Sequence, residues 1–272
     1  MERAERTDRT TSDRSKRSLA LVTGAASGIG KALASIVARN GHDLLLIDVD
    51  EEPLAEHADR LADVHGVWTE PLALDLTADG AVDRIDDRLA AIDGRVDVLC
   101  NNAGVPVYGR FTETDFDDER AMIELNVVAT TALTKRIAPR MVDRGHGHIL
   151  HTASLAGVVP VPTAAIYGAT KAYVRSFSLA LATELRGTGV TVTTLCPGET
   201  NTAFLTRGGM DRSAIPGRRL QSPRSVAEVA YQGMIAGDRV VVPSQWDRLR
   251  YILGKLLPEA ISARITERFW SG

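Results

Sequence analysis

From Leu19 onward the chain alternates short apolar runs with longer segments whose apolar residues recur every three to four positions. The runs, rich in Val, Ile and Leu, span 19–23, 43–48, 67–74, 96–101, 148–153, 190–196 and 240–243, and each reads as a strand. The segments between them, 28–40, 51–64, 78–92, 116–144, 163–186 and 223–236, carry the helical spacing of Leu, Ile, Val and Ala. Near-continuous apolar strands need cover on both faces. The pattern therefore predicts a single α/β domain, a Rossmann-like doubly wound parallel sheet of about seven strands with helices on both sides.

Two regions fall outside this alternation. Residues 199–222 mix Gly, Arg, Thr and Pro with Phe204, Leu205 and Met210, which predicts a loop with a short helix acting as a lid. Residues 244–272 form an amphipathic extension in which Trp246, Leu249, Ile252, Leu253, Leu256 and Leu257 keep helical spacing until Pro258 interrupts it. Residues 1–17 hold six basic and four acidic side chains and no apolar run, and read as a solvated polar tail rather than a signal peptide. The sheet domain is expected over 18–243, where no internal repeat or linker marks a boundary.

The first strand runs into Gly24-Ala25-Ala26-Ser27-Gly28-Ile29-Gly30, and a helical pattern begins at once. A strand, a glycine turn and a helix start bring backbone N–H groups to a helix N-terminus, where the donors and the helix dipole stabilise a pyrophosphate. One glycine permits the tight turn, one admits phosphate to the backbone, and one lets the helix pack on the strand. Asp48 closes the second strand, twenty residues beyond Gly28, where a carboxylate can accept from both adenosine ribose hydroxyls. A 2′-phosphate would meet like charge there, and the next residues, Val49, Asp50 and Glu51, supply no cation. NAD(H) is therefore favoured, with NADP(H) as the alternative; Asp48 as a plain helix cap is the other reading. Asp75, with Leu76 beside it, is a second candidate contact on the adenine side, or a cap for the segment that follows.

Composition removes several classes of function. Hydrophobic residues make up 44% and charged residues 25%, enough for a large core. A net charge of -3 gives no footprint for nucleic acid. The two cysteines, Cys100 and Cys196, lie in apolar runs, which excludes a disulfide framework and favours a reducing compartment. No stretch approaches 18 consecutive apolar residues, so the cytoplasm is the expected location.

Tyr167 and Lys171 are four apart on a predicted helix and share a face, so an ammonium can sit beside a phenol. Acid–base work near neutrality asks for a phenol shifted down by roughly three units from about 10, and Lys171 with an oxidised nicotinamide is the source to expect. An ordinary surface pair is the competing reading. Ser154 lies thirteen residues before Tyr167 at the end of a predicted strand, so its hydroxyl should emerge at the carboxyl edge of the sheet, where ligands bind.

The segments Thr23–Gly30, Asn101-Asn102-Ala103-Gly104, Ser154, Tyr167-Gly168-Ala169-Thr170-Lys171 and Pro197-Gly198 occur in an order and spacing that resembles the short-chain dehydrogenase/reductase (SDR) family over roughly residues 18–243. The resemblance implies hydride transfer between a nicotinamide and a secondary alcohol or carbonyl. It implies that Ser154 bonds the substrate oxygen, that Tyr167 exchanges the proton, and that Lys171 orients the nicotinamide ribose and lowers the Tyr167 pKa. Asn126, otherwise a mid-helix Asn of poor propensity, matches the family's relay asparagine. Asn102, Ala103 and Gly104 would lie along the cofactor. Pro197, Gly198, Thr200 and Thr202 would cover its carboxamide. Homodimers or homotetramers built through the two long helices are the family's expectation for partners. A dinucleotide-binding regulator without chemistry is the reading from another class; it gives no chemical reason for Ser154, Tyr167, Lys171 and Asn126 together.

The substrate pocket is expected near the carboxyl edge, with Val107, Tyr108, Leu155, Phe204 and Leu205 in its lining, which favours a small, largely apolar alcohol or carbonyl compound. His146, His148 and His151 do not read as a metal site, because 146 and 148 share a strand face and 151 lies on the other. His151 beside the strand end is a candidate to touch the reaction site. The terminal extension carries five basic and three acidic residues over 245–270; packing on its own domain or a partner subunit competes there with an interfacial membrane helix.

Overall fold

The computed structural model describes residues 18–202, 204 and 220–270, with the backbone alone at 268–270. The expected tail over 1–17, and Leu205 and Met210 of the expected lid, lie outside the described residues. Seven parallel strands form one sheet: β1 (Leu19–Thr23), β2 (Asp43–Asp48), β3 (Thr69–Ala73), β4 (Val96–Asn101), β5 (Gly147–Thr152), β6 (Val190–Leu195) and β7 (Val240–Val241). Their order is β3-β2-β1-β4-β5-β6-β7, so the winding direction reverses between β1 and β4. That reversal opens a crevice at the carboxyl ends of the strands.

The helices are α1 (Gly28–Arg39), α2 (Glu51–His65), α3 (Ala81–Ala91), α4 (Phe116–Ile123), α5 (Thr130–Arg144), α6 (Ala165–Glu184), α7 (Pro223–Ala236), α8 (Gln245–Leu256) and α9 (Glu259–Trp270). Side chains alternate across each strand, and the two faces build two cores. Ala20, Val22, Leu44 and Leu46 pack under α1, α2 and α7, while Leu19, Leu21, Leu45 and Ile47 pack under α3, α5 and α6. A doubly wound sheet is the outcome the strand pattern predicts.

Several boundaries differ from expectation, each for a local reason. β3 starts two residues late and holds Pro71, which an edge strand tolerates because its unpaired side needs no donor. β7 stops at Val241, ahead of Pro243. The second long helix begins at Ala165 rather than at 163, since Thr163 sits at φ 64 and cannot continue a right-handed helix. The segment expected as one helix over 116–144 is α4 and α5 joined by a π-helical stretch, Glu124–Ala129. The terminal extension is two helices broken at Pro258. Tyr251 of α8 packs against the cluster of Ala153, Leu155, Val174, Cys196 and Val242, and its hydroxyl accepts from Arg175 Nη2 at 2.9 Å.

Candidate active site

The crevice is a cavity of about 510 Å³ running from the glycine turn to the terminal helices. At one end, Gly24 and Gly28 take φ 68 and 55, a region that favours glycine. A Cβ on Gly30 would fall on the Gly24 carbonyl oxygen, so that glycine serves the packing of α1 on the turn. Ser27 at the α1 N-cap makes no side-chain cap bond, and the first-turn amides of α1 have no intrahelical acceptor. Gly24, Ser27, Gly28 and Ile29 line the cavity, so these donors border it; the cradle fits a pyrophosphate.

Asp48 also lines the cavity and braces the turn. Its carboxylate accepts from Ala26 N at 2.9 Å through one oxygen, and from Val49 N and Asp50 N at 2.8 and 3.2 Å through the other. Asp75 and Leu76 face the same space. Asp75 Oδ1 accepts from Thr77 N and Thr77 Oγ1 at 2.8 and 2.7 Å, so it caps a turn as well as bordering the cavity.

The loop after β4 is tied to β1 by Thr23, whose hydroxyl accepts from Asn102 N and Ala103 N at 3.0 Å each, while Asn102 Nδ2 donates to Thr23 O at 3.2 Å. These bonds hold Asn102, Ala103 and Gly104 along the middle of the cavity, opposite Pro197, Gly198, Thr200 and Thr202 of the loop after β6.

Ser154, Tyr167 and Lys171 meet in the same cavity. Ser154 lies two residues past the end of β5, and its Oγ accepts from Ala156 N at 3.1 Å. One turn of α6 separates Tyr167 from Lys171, whose Nζ donates to Thr152 O at 2.9 Å and lies 5.9 Å from the Tyr167 ring centroid. Tyr108 and Phe204 tilt against the Tyr167 ring from two other segments, each with centroids 5.9 Å apart. Asn126 lies behind these groups, in the π-helical stretch. Its amide pairs with both polar groups of Val105, at 3.0 Å each, and donates to Thr170 Oγ1 at 3.1 Å.

Burial sets the ionisation of this cluster. Desolvation pushes the Tyr167 phenol up to about 12, with hydrogen bonding from Ser154 pulling the other way. Desolvation also lowers Lys171 to about 8, against a smaller opposing effect of Cys196. The downward shift of the phenol expected from Lys171 with an oxidised nicotinamide is not what the chain by itself gives, because desolvation of the buried phenol dominates.

Of the predicted pocket residues, Tyr108, Leu155 and Phe204 line the cavity, and Leu205 lies outside the described residues. Val107 does not line it; it packs behind the site on the cluster of Met122, Val161, Ala164 and Tyr167. His151 is likewise away from the cavity. It is fully buried between Thr134 Oγ1 at 2.9 Å and Ser178 Oγ at 2.7 Å, and stacks on Phe177. His146 and His148 meet edge to face on the other side of the strand, and among the described residues no group of His, Cys, Asp or Glu is placed to hold a metal.

What sequence reasoning missed is the far wall. Trp246, Arg250, Leu253, Gly254 and Leu257 of the α8 stretch, with Ser262, Ile265 and Thr266 of α9, all border the cavity. Their spacing is that of one helix face, a signal that was present without saying what the face covers. Glu199, also missed, joins the loop after β6 to this wall through two bonds from Arg250, at 2.8 and 3.1 Å. Among the described residues no helix is long and apolar enough to cross a membrane.

Residues 18–212 match the family model of short chain dehydrogenases. A 1-deoxy-11-beta-hydroxypentalenate dehydrogenase of Streptomyces exfoliatus is 38% identical over 189 residues, 68% of this chain and 68% of its own length. Among solved structures, a short-chain dehydrogenase from Sphingobium yanoikuyae in complex with NADPH is 35% identical with a TM-score of 0.79, covering 88% of this chain and 94% of the other. A short chain dehydrogenase/reductase from Burkholderia phymatum in complex with NAD is 27% identical with a TM-score of 0.79, covering 87% and 92%.

Proposed function

The chain belongs to the short-chain dehydrogenase family of oxidoreductases, and from that premise we propose that it interconverts a secondary alcohol and a carbonyl on a small, largely apolar substrate with NAD(H). The observation that carries the reading is the meeting of Ser154, Tyr167 and Lys171 in the cavity that the glycine turn borders. A nicotinamide dinucleotide held between the glycine turn and Asp48 would supply the two-electron hydride chemistry that this interconversion needs.

The chain's own residues supply the rest. Ser154 holds the substrate oxygen, and Tyr167 gives or takes the proton on that oxygen. A phenol held up at about 12 is protonated at neutrality, which suits donation to a carbonyl oxygen; the reverse reaction needs added positive charge nearby to release it. Lys171, with a pKa near 8, is mostly charged at neutrality and supplies part of that field. Asn126 fixes the Val105 peptide against α6, and so sets the loop that borders the cofactor space. The first-turn amides of α1 hold the pyrophosphate, and the Asp48 carboxylate, lining the cavity with no cation in the two residues that follow it, favours NAD(H) over its 2′-phosphorylated form.

One experiment tests both parts. Tyr167→Phe should lower turnover of alcohols and ketones by about 10²–10⁴-fold while NAD(H) binding stays nearly intact. In fluorescence titrations the unaltered chain should bind NAD(H) more tightly than NADP(H), and Asp48→Ala should narrow that gap. Equal activity in the phenylalanine variant ends the acid–base assignment; tighter NADP(H) binding reverses the cofactor preference.

A further inference from the structure

The terminal helices bring the largest unassigned feature of the molecule. α8 presents Trp246, Leu253 and Gly254 on one face, Leu257 follows at its C-cap, and α9 adds Ile265, all bordering the cavity that holds Tyr167. This placement is fixed from both sides. Tyr251, on the face of α8 turned to the domain, is anchored in the core beside Arg175. Gly254 lies so close to Val159 and Val158 that an added Cβ would stand 2.8 and 3.1 Å from their respective methyl groups. At the other edge, Arg250 bonds Glu199 of the loop after β6, and Asp247, buried beneath it, accepts from Arg250 at 3.2 Å.

The wall is apolar and open. Leu253 and Ile265 keep 45% and 54% of their surface exposed although they border the cavity, so a ligand seated there would take apolar surface out of water. Arg250, the one cation on this wall among the described residues, is met by two carboxylates of the chain, so the wall offers little to a charged substrate tail. Tyr108, Leu155, Val158 and Phe204, which line the same cavity, continue the apolar surface.

We propose that α8 and α9 are the substrate-selecting wall of the reaction site, with Leu253 and Ile265 as specificity-determining residues for a bulky, uncharged, ring-bearing ketone or secondary alcohol. The inference rests on the reaction assigned above, and deepens it by naming the part of the substrate that lies away from the reacting carbon. A ring system of two or more fused rings carries rigid apolar surface to lay against this wall and the apolar side chains that continue it, whereas a short aliphatic ketone leaves the wall wet.

The test reads binding and turnover separately. The full chain, saturated with oxidised cofactor so that no ketone can be reduced, is titrated calorimetrically with 2-acetonaphthone and with 2-butanone. The bicyclic ketone should bind the unaltered chain at least tenfold more tightly. Leu253→Phe, which fills the space, and Ile265→Asp, which charges an exposed position and leaves the core untouched, should each weaken the bicyclic ketone about tenfold or more and 2-butanone less than threefold. Cofactor dissociation constants serve as the folding control. The proposal is overturned if the bicyclic ketone fails to bind, or binds both variants as it binds the unaltered chain. If it binds and responds to the wall as stated, yet is not reduced when reduced cofactor is supplied, the wall stands and the assigned reaction falls.

Discussion

The two ends of the cavity are built on opposite plans. At the nucleotide end, β1, the glycine turn, α1 and β2 form one continuous stretch of chain, and what they present is mostly backbone: amides at a helix start, two left-handed glycines, and one carboxylate bracing the turn. At the reaction end, side chains arrive from β5, α6, the loops after β4 and β6, and the two terminal helices. Backbone recognition depends on sterics that a single added carbon breaks. Side-chain recognition spreads over many contacts, and those apart from the reacting Ser154, Tyr167 and Lys171 can be exchanged at modest cost. The difference teaches where the molecule is intolerant and where its specificity can drift.

Gly30→Ala puts the first half of that contrast to its hardest test. The new Cβ would meet the Gly24 carbonyl and stand 2.5 Å from Asn102 Nδ2, and the carbonyl belongs to backbone that cannot turn aside. Overpacking costs about 1–3 kcal/mol in general, and the upper end, about 3 kcal/mol, is expected here. Cofactor affinity should fall tenfold or more because the same carbonyl shapes the phosphate turn. Denaturant midpoints and cofactor titrations measure both. A variant as stable as the parent, with unchanged affinity, would mean that the turn yields readily and that the two ends are not different in kind.

The same contrast explains what was legible in the chain before any coordinates. The strands, the glycine turn and the Ser154, Tyr167 and Lys171 spacing are local facts, carried by period, turn chemistry and one helical repeat. Asn126 drew notice as a misfit in a helix. The π-helical stretch that resolves it could not be read, because one register of backbone bonding separates it from an ordinary helix. The terminal wall showed its amphipathic spacing and hid its partner, since what a face covers is a matter of tertiary packing. The upward shift of Tyr167 was illegible for the same reason: its cause is burial, and groups packed on its ring, such as Tyr108 and Phe204, are remote in sequence. Val107, placed in the pocket by its position alone, turns into the cluster behind it.

The Glu199 and Arg250 pair sharpens the second half of the comparison. It fastens the loop after β6 to α8, two of the segments whose side chains line the reaction end of the cavity. Arg250 keeps 27% of its side chain exposed and Glu199 13%, so the pair is screened in part and is worth less than a fully buried one. Arg250→Gln should destabilise the fold by about 1–2 kcal/mol, and a double-mutant cycle with Glu199→Gln should return a coupling of about 1 kcal/mol. Arg250→Lys should recover little of it, because an ammonium cannot reproduce two parallel bonds to one carboxylate. Additive effects of the two single changes would show the loop and the helix to be held independently.

The buried His151 of β5 gives the smallest effect and the one most easily separated from activity. The ring sits between Thr134 of α5 and Ser178 of α6, and desolvation lowers its pKa to about 3, against about 6.5 in an unfolded chain. The native state therefore refuses a proton that the unfolded state accepts. Stability is fully present above pH 6.5 and is lost as pH falls from there toward 3, by about 1.4 kcal/mol per unit at the steepest. Between pH 7 and 5.5 this residue alone should remove about 1 kcal/mol. His151→Asn can bond both hydroxyls and has no proton to gain, so it should lose stability by a constant amount from the missing stack on Phe177 and shed this part of the acid sensitivity. Denaturant midpoints of both proteins at pH 7 and 5.5 give the difference directly, with the other lowered histidines, His42, His57 and His148, cancelling between them. Identical acid slopes would place a charged imidazole in the core between α5 and α6, and would require a carboxylate or bound water there to hold it.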